Sequence, residues 1–266
     1  MTDEDDRTRL RSTFNTVAER YERIRPRYPA DLFEDIERLG RLGPGGRVLE
    51  IGCGTGQATV DLARRGYTVV ALEIGEALAA IARRRLASFA NAAVIVADFE
   101  RWDLPAERFD AVVSATAFHW IDPEVRFLRA ADALVPDGLL AIVDTDHVAG
   151  GTEQFFVEAQ DCYERWDPKT EPGLTLDAAP DIEINVDEVA RSGRFGPVDV
   201  RQYEWSQAYS TSDYLDLLLT YSGHLALGDH ARIGLLDCIG ALIDDYYGGS
   251  ITKRYLTTLR ATRRSK

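Results

Sequence analysis

One stretch constrains this chain more than any other: Val48-Leu49-Glu50-Ile51-Gly52-Cys53-Gly54-Thr55-Gly56-Gln57. Its apolar part reads as a short buried strand, and it ends in three glycines at alternate positions that lead straight into a helix. Glycines strip the turn of side chains, so a ligand can lie against backbone amides at the helix start. A cofactor belongs there. A dinucleotide fingerprint is spaced G-x-G-x-x-G, whereas here the third glycine comes one position early and Gln57 stands in the last place. That departure counts against NAD or FAD.

Around the turn the chain alternates strand and helix. After the punctuation at Gly43-Pro44-Gly45-Gly46, strands are predicted at 47–51, 68–72, 93–97, 109–114 and 139–143. The intervening helices include 57–65, and one begun by Asp122-Pro123 that buries Phe127, Leu128, Ala131, Leu134 and Val135. Five such units imply a parallel sheet with helices on both faces, and a ligand at the carboxyl ends of its strands. Glu50, Glu73, Asp98, Thr116 and His119 all fall at or just beyond those ends.

With Glu50 two residues before the first glycine, the turn resembles the first motif of class I S-adenosylmethionine (SAM)-dependent methyltransferases. The segment from Phe14 to Pro29, with Tyr21, Arg25-Pro26 and Tyr28-Pro29, is similar to the N-terminus of small-molecule methyltransferases that include the trans-aconitate methyltransferase-like enzymes. The resemblance covers the first 145 residues well and the rest in outline. It implies a Rossmann-like α/β fold with a mostly parallel seven-stranded sheet and a helical lid insertion. The expected parts are a helical cap at 1–40, a SAM-binding core at 41–145, a lid at 146–195 and the antiparallel end of the sheet at 196–266, with helices inserted.

The resemblance also assigns roles. Glu50 is tied to the methionine moiety, and Gly52, Cys53, Gly54, Thr55, Gly56 and Gln57 form the cofactor turn. Glu73, about 20 residues past the first glycine, suits a ribose diol, which a dinucleotide would also want. Asp98 and Phe99 resemble the adenine motif, Ile74 packs on the adenine face, and Ala115 and Thr116 face the cofactor's tail. His119, in the Phe118-His119-Trp120 run, is the candidate base, since imidazole near its ordinary pKa takes a proton readily. A histidine bonded to backbone is the competing reading. Methyl transfer needs little acid or base help, because placement in a dry pocket supplies most of the rate. Candidates for substrate contact are Tyr21, Arg25, Tyr28, His147, Trp166, Tyr214, Tyr221 and His224, with Arg25 available for a carboxylate.

The later chain is predicted as helices at 152–165, 187–192, 212–222 and 229–247, the last striped by Ile233, Leu236, Ile239 and Ile243. Strands follow at 197–207 and 250–261. On the second, Ile251, Lys253, Tyr255, Thr257, Leu259 and Ala261 share one side.

Charge narrows the partners. A net charge of −13 repels phosphate backbones, so no nucleic acid partner is expected and a small molecule is. Residues 1–6 are acidic where a secretory signal is basic and then apolar, and no apolar run approaches a membrane span, so a cytoplasmic monomer or homodimer is expected. Three widely spaced cysteines cannot pair completely and match no zinc pattern, so no metal is expected. The predicted activity is methyl transfer from SAM to a small molecule, releasing S-adenosylhomocysteine. The rivals are a SAM-binding sensor that transfers nothing and an NAD-linked oxidoreductase.

Overall fold

Seven strands, β1 (Arg47–Ile51), β2 (Thr68–Glu73), β3 (Ala92–Val96), β4 (Phe109–Ala115), β5 (Leu134–Val148), β6 (Phe195–Ser210) and β7 (Ser250–Arg264), form one sheet in the computed structural model. The structure describes residues 17–265; Phe14, where the N-terminal resemblance begins, and the acidic start lie outside them. The strand order is β3-β2-β1-β4-β5-β7-β6. β1 to β5 pair in parallel, and β7 runs antiparallel to both β5 and β6. The order reverses between β1 and β4, which opens a crevice at their carboxyl ends.

The helices are α1 (Ala18–Ile24), α2 (Ala30–Gly40), α3 (Gln57–Arg64), α4 (Glu76–Arg85), α5 (Arg126–Ala133), α6 (Glu153–Trp166), α7 (Asp187–Arg191), α8 (Thr211–Leu218), α9 (Ser222–Leu225) and α10 (Asp229–Tyr246). Alternation along the strands feeds two cores. Val48, Val69, Ala111 and Val113 meet Leu32, Phe33 and Ile36 of α2 and Leu62 of α3 on one face. Leu49, Leu72, Val112 and Leu140 meet Phe127, Ala130 and Ala131 of α5 on the other. With both faces covered, β1 is buried from Val48 to Ile51; burying Leu49 completely contributes roughly 1.5–3 kcal/mol.

A third core lies beyond the sheet. Phe155 and Phe156 of α6, Tyr214 and Leu217 of α8, and Leu235, Ile239 and Ile243 of α10 pack with Tyr209 and Ile251. Cys162 and Cys238 form a disulfide there that joins α6 to α10, while Cys53 stays free and buried. This pair runs against the cytoplasmic expectation, because cytosolic reductants open such bonds. Among the described residues no helix is long and apolar enough to cross a membrane.

Several expectations shift. α10 turns the i, i+4 row Leu235, Ile239, Ile243 inward, leaving Ile233 57% exposed, since the facing helices decide which of two near-equivalent stripes is covered. Leu128 is likewise exposed, and α5 starts only at Arg126 because Asp122 is spent on a turn whose carbonyl accepts from the Val125 and Arg126 amides. β5 runs five residues past its expected end at Val143, carried by its ladder with β7 from Leu139 to Val148. The expected lid does not fold over the crevice as a whole: α6 is drawn into the third core, and Ala179 and Ile182 pack against Val148 and Leu256.

Candidate active site

The glycine turn is held from below. The Gly52 and Cys53 amides both donate to the Leu72 carbonyl of β2, at 2.9 and 3.0 Å. Gly52 has φ +70°, and a Cβ there would stand 2.4 Å from that of Ala117, so glycine is required on both counts. The Gly54 amide donates to Glu73 Oε2 at 2.9 Å, and the Gly75 amide donates to Glu73 Oε1 at 2.7 Å. Burial raises the Glu73 pKa while these amides pull it back. With the Ile74 amide as a third donor, the carboxylate still has lone-pair capacity for another.

Glu50 is 1% exposed, and its Oε2 has no partner among the described residues; the Thr59 hydroxyl lies beside it without closing a hydrogen bond. Burial, with Glu73 adding to it, pushes the carboxyl up to about 7. Thr55 Oγ1 and Gln57 Nε2 are also buried without partners among the described residues. So many unpartnered polar atoms at one turn suit a polar ligand.

Two cavities open on this edge. The larger, about 530 Å³, runs from Glu73, Ile74, Asp98 and Phe99 to His119 and Asp144. Ile74 is 42% exposed there, an apolar surface available to a flat ring. Asp98 Oδ1 accepts from the Glu100 amide at 3.1 Å, so it also shapes its own turn. The smaller cavity, about 200 Å³, lies between Glu50, Cys53 and Gln57 on one side and His147, Trp205 and Lys253 on the other. Both share Tyr21, Arg25, Gly52, Gly54, Thr116 and Tyr221 as walls.

Thr116 is strained at the junction, with φ +54°, and is held by its amide on Val143 O at 2.7 Å and by Tyr28 Oη, 3.0 Å from its Oγ1. His119 sits on a 3-10 turn over 118–120, exposed, with its ring 4.9 Å from that of Trp120. The surrounding protein lowers its pKa, opposed by Asp144. Among the described residues it makes no hydrogen bond to backbone. Arg25 reaches the shared wall with Nε and one terminal nitrogen donating to Thr220, and its guanidinium lies over the Tyr21 and Tyr221 rings.

Residues 48–138, about a third of the chain, match the methyltransferase domain family. The core is a class I methyltransferase domain. An uncharacterised methyltransferase of Mycobacterium bovis is 32% identical over 131 residues, 49% of this chain and 51% of that protein. A malonyl-[acyl-carrier protein] O-methyltransferase of a Paenibacillus species is 35% identical over 102 residues, 34% of this chain and 37% of that one. The chain thus spans about half or less of the length of these relatives. Among solved structures, a protein of Anaeromyxobacter dehalogenans provisionally assigned as a type II methyltransferase aligns with TM-score 0.59 and 26% identity, over 90% of this chain and 97% of that one. The Haemonchus contortus phosphoethanolamine N-methyltransferase 2, in complex with phosphomonomethylethanolamine and S-adenosylhomocysteine, aligns with TM-score 0.53 and 19% identity over 95% of this chain and 58% of that one, a likeness of fold.

Not every expected residue reaches the methyltransferase crevice. Tyr214 is buried in the third core, Trp166 packs against His230 and Gly234, and His224 is tied to Tyr163 Oη at 3.0 Å. All three belong to helices that leave the sheet, and their apolar faces are taken by one another. Thr55 and Gly56 shape the turn and do not line either cavity. Lys253, Trp205 and Tyr255 were missed. The signal was present: a lysine on the stripe that Ile251, Leu259 and Ala261 mark as inward. Among the described residues no cluster of histidine, cysteine or acid could hold a metal ion.

Proposed function

We propose that this protein transfers a methyl group from SAM to a small molecule and releases S-adenosylhomocysteine. The observation that carries the reading is the pair of adjoining cavities with a common wall at Gly52, Gly54 and Thr116. A sensor needs one chamber, whereas a transferase needs a second beside the reacting group.

The donors fit the cofactor. Glu73 would hold the ribose diol with its spare lone pairs, Ile74 and Phe99 would flank the adenine, and Glu50 with its unpartnered oxygen would face the ammonium of the tail. Bound there, SAM would supply an electrophilic methyl group on a sulfonium. The chain's own work is then positional: Tyr28 and Thr116 fix the junction, Tyr21 and Arg25 cover it, and His119 stands where it can take a proton from an acceptor.

Isothermal titration with S-adenosylhomocysteine and, separately, NAD tests the reading. Binding of the first and not the second is expected. NAD binding alone would overturn it and revive the oxidoreductase.

A further inference from the structure

Lys253 is 4% exposed, on the inward face of β7, where it lines the smaller cavity. Its Nζ donates to the Tyr221 hydroxyl at 3.0 Å and lies 5.1 Å from the centroids of both the Tyr221 and Tyr255 rings. Among the described residues no carboxylate stands within ion-pair distance of it. Arg25, at the same wall, also has no acid partner there, and it spends its donors on Thr220. Elsewhere this acidic protein pairs its cations freely, as with Arg85 and Glu22 or Arg260 and Asp144. Ring faces soften the cost of a buried ammonium without cancelling its charge. Two cations that face one cavity with no acid partner among the described residues, in a chain of net charge −13, make a local positive field that folding alone does not need.

The neighbours register that field. Burial by itself would raise the Tyr221 phenol, yet Lys253 and Arg25 bring it below its ordinary value. His147, whose Nε2 is buried without a partner among the described residues, is pushed down to about 2 by burial and by Lys253, so it stays neutral. Glu50, across the cavity, does not close an ion pair with either cation and is itself shifted toward the neutral acid. Beside the lysine, Trp205 and Tyr255 stack at 4.5 Å and present an apolar wall.

We infer that the methyl acceptor carries a carboxylate, seated on Lys253 Nζ with Arg25 beside it, and an apolar body laid against Trp205 and Tyr255. This rests on the methyl-transfer reading, with the cofactor's tail on the Glu50 side of the smaller cavity and the acceptor on its Lys253 side. The same chemistry would also suit the carboxylate of the cofactor's own tail, so the test separates the two.

The full chain is titrated with hexanoate, phenylacetate and indole-3-acetate and with the corresponding neutral amides, each with and without S-adenosylhomocysteine. At least one acid should bind about tenfold or more tighter than its amide. Lys253→Met should weaken that acid roughly 10- to 100-fold, the usual worth of a charged hydrogen bond. Lys253→Arg should recover much of the loss, and S-adenosylhomocysteine affinity should change little in either variant. Thermal unfolding confirms that both variants are folded; should Lys253→Met not fold, Lys253→Arg and the acid-to-amide ratio of the parent decide. No preference for acids over amides overturns the inference. So does a Lys253→Met variant that loses S-adenosylhomocysteine as strongly as the acid, because the lysine then serves the cofactor's tail. Failure of the parent to bind S-adenosylhomocysteine, with acid selectivity intact, strikes the methyl-transfer reading and the acceptor role together, and is told apart from the first outcome by that selectivity.

Discussion

The Glu73 carboxylate accepts the Gly54 amide at 2.9 Å, so the acid expected to grip a ribose also fixes the turn that cradles the rest of the ligand. Its second oxygen, on the Gly75 amide, ties the same group to the start of α4. Removing it therefore acts twice. Glu73→Ala should weaken S-adenosylhomocysteine by roughly 1.5–3 kcal/mol, the range for hydrogen bonds to a charged group. It should also lower the melting temperature of the ligand-free protein, which a simple contact residue would not do. Calorimetry and thermal unfolding read the two effects separately, and unchanged affinity would refute the ribose role.

Gly52 tolerates less than Gly54. A methyl at Gly52 meets the Ala117 Cβ at 2.4 Å, whereas one at Gly54 finds Gln57 Oε1 and the Tyr21 ring at 3.8 Å, an ordinary contact. Both have positive φ, so both substitutions carry backbone strain of about 1 kcal/mol, and Gly52→Ala adds the clash. Gly52→Ala should cost both stability and ligand binding, and clearly more than Gly54→Ala. Equal melting temperatures for the two variants would count against the close packing of Ala117.

Glu50 should make stability fall as pH rises. Its folded pKa, about 7, lies above the unfolded carboxylate value, so between roughly pH 4.5 and 7 the folded state holds the extra proton. The unfolding free energy then declines across that window, by up to about 3 kcal/mol at 1.36 kcal/mol per unit. Glu50→Gln should flatten the decline and be the more stable protein at pH 8. Urea unfolding at a series of pH values checks this; a parallel slope in the variant would remove Glu50 as the cause.

His119→Ala should lower turnover and spare cofactor affinity if the imidazole takes the acceptor's proton. The side chain lines the larger cavity and makes no hydrogen bond to backbone among the described residues, so the fold should survive its loss. Single-turnover rates with labelled SAM, once an acceptor is known, measure the effect. Rates equal to the parent's would sink the role.

Reduction of Cys162–Cys238 should loosen the third core. The bond closes a loop with a sequence separation of 76, which in the chain-entropy account is worth about 4 kcal/mol. Dithiothreitol or Cys238→Ser should lower the melting temperature, and the methyltransferase core should be less affected than the packing of α6 on α10. Identical melting with and without reductant would show that the pair contributes nothing to stability.

The places of Glu50, Gly52, Glu73, Ile74, Asp98 and Thr116 along the crevice were legible because each sits at or near a strand end, and strand ends follow from local periodicity and turn chemistry. The sequence by itself determined the alternating strands and helices, the glycine turn and the edge of the sheet where a ligand would lie. The tertiary structure alone decided what faces that edge from afar. Lys253 and Tyr221 meet across 32 positions of chain, and Trp205 reaches Tyr255 through the register of β6 on β7. Trp166, Tyr214 and His224 were drawn away for the same reason: an aromatic on a helix follows whichever neighbour covers its face. Periodicity gives a residue its side of an element, but the partner on that side is set by long-range packing, which no short window of sequence contains.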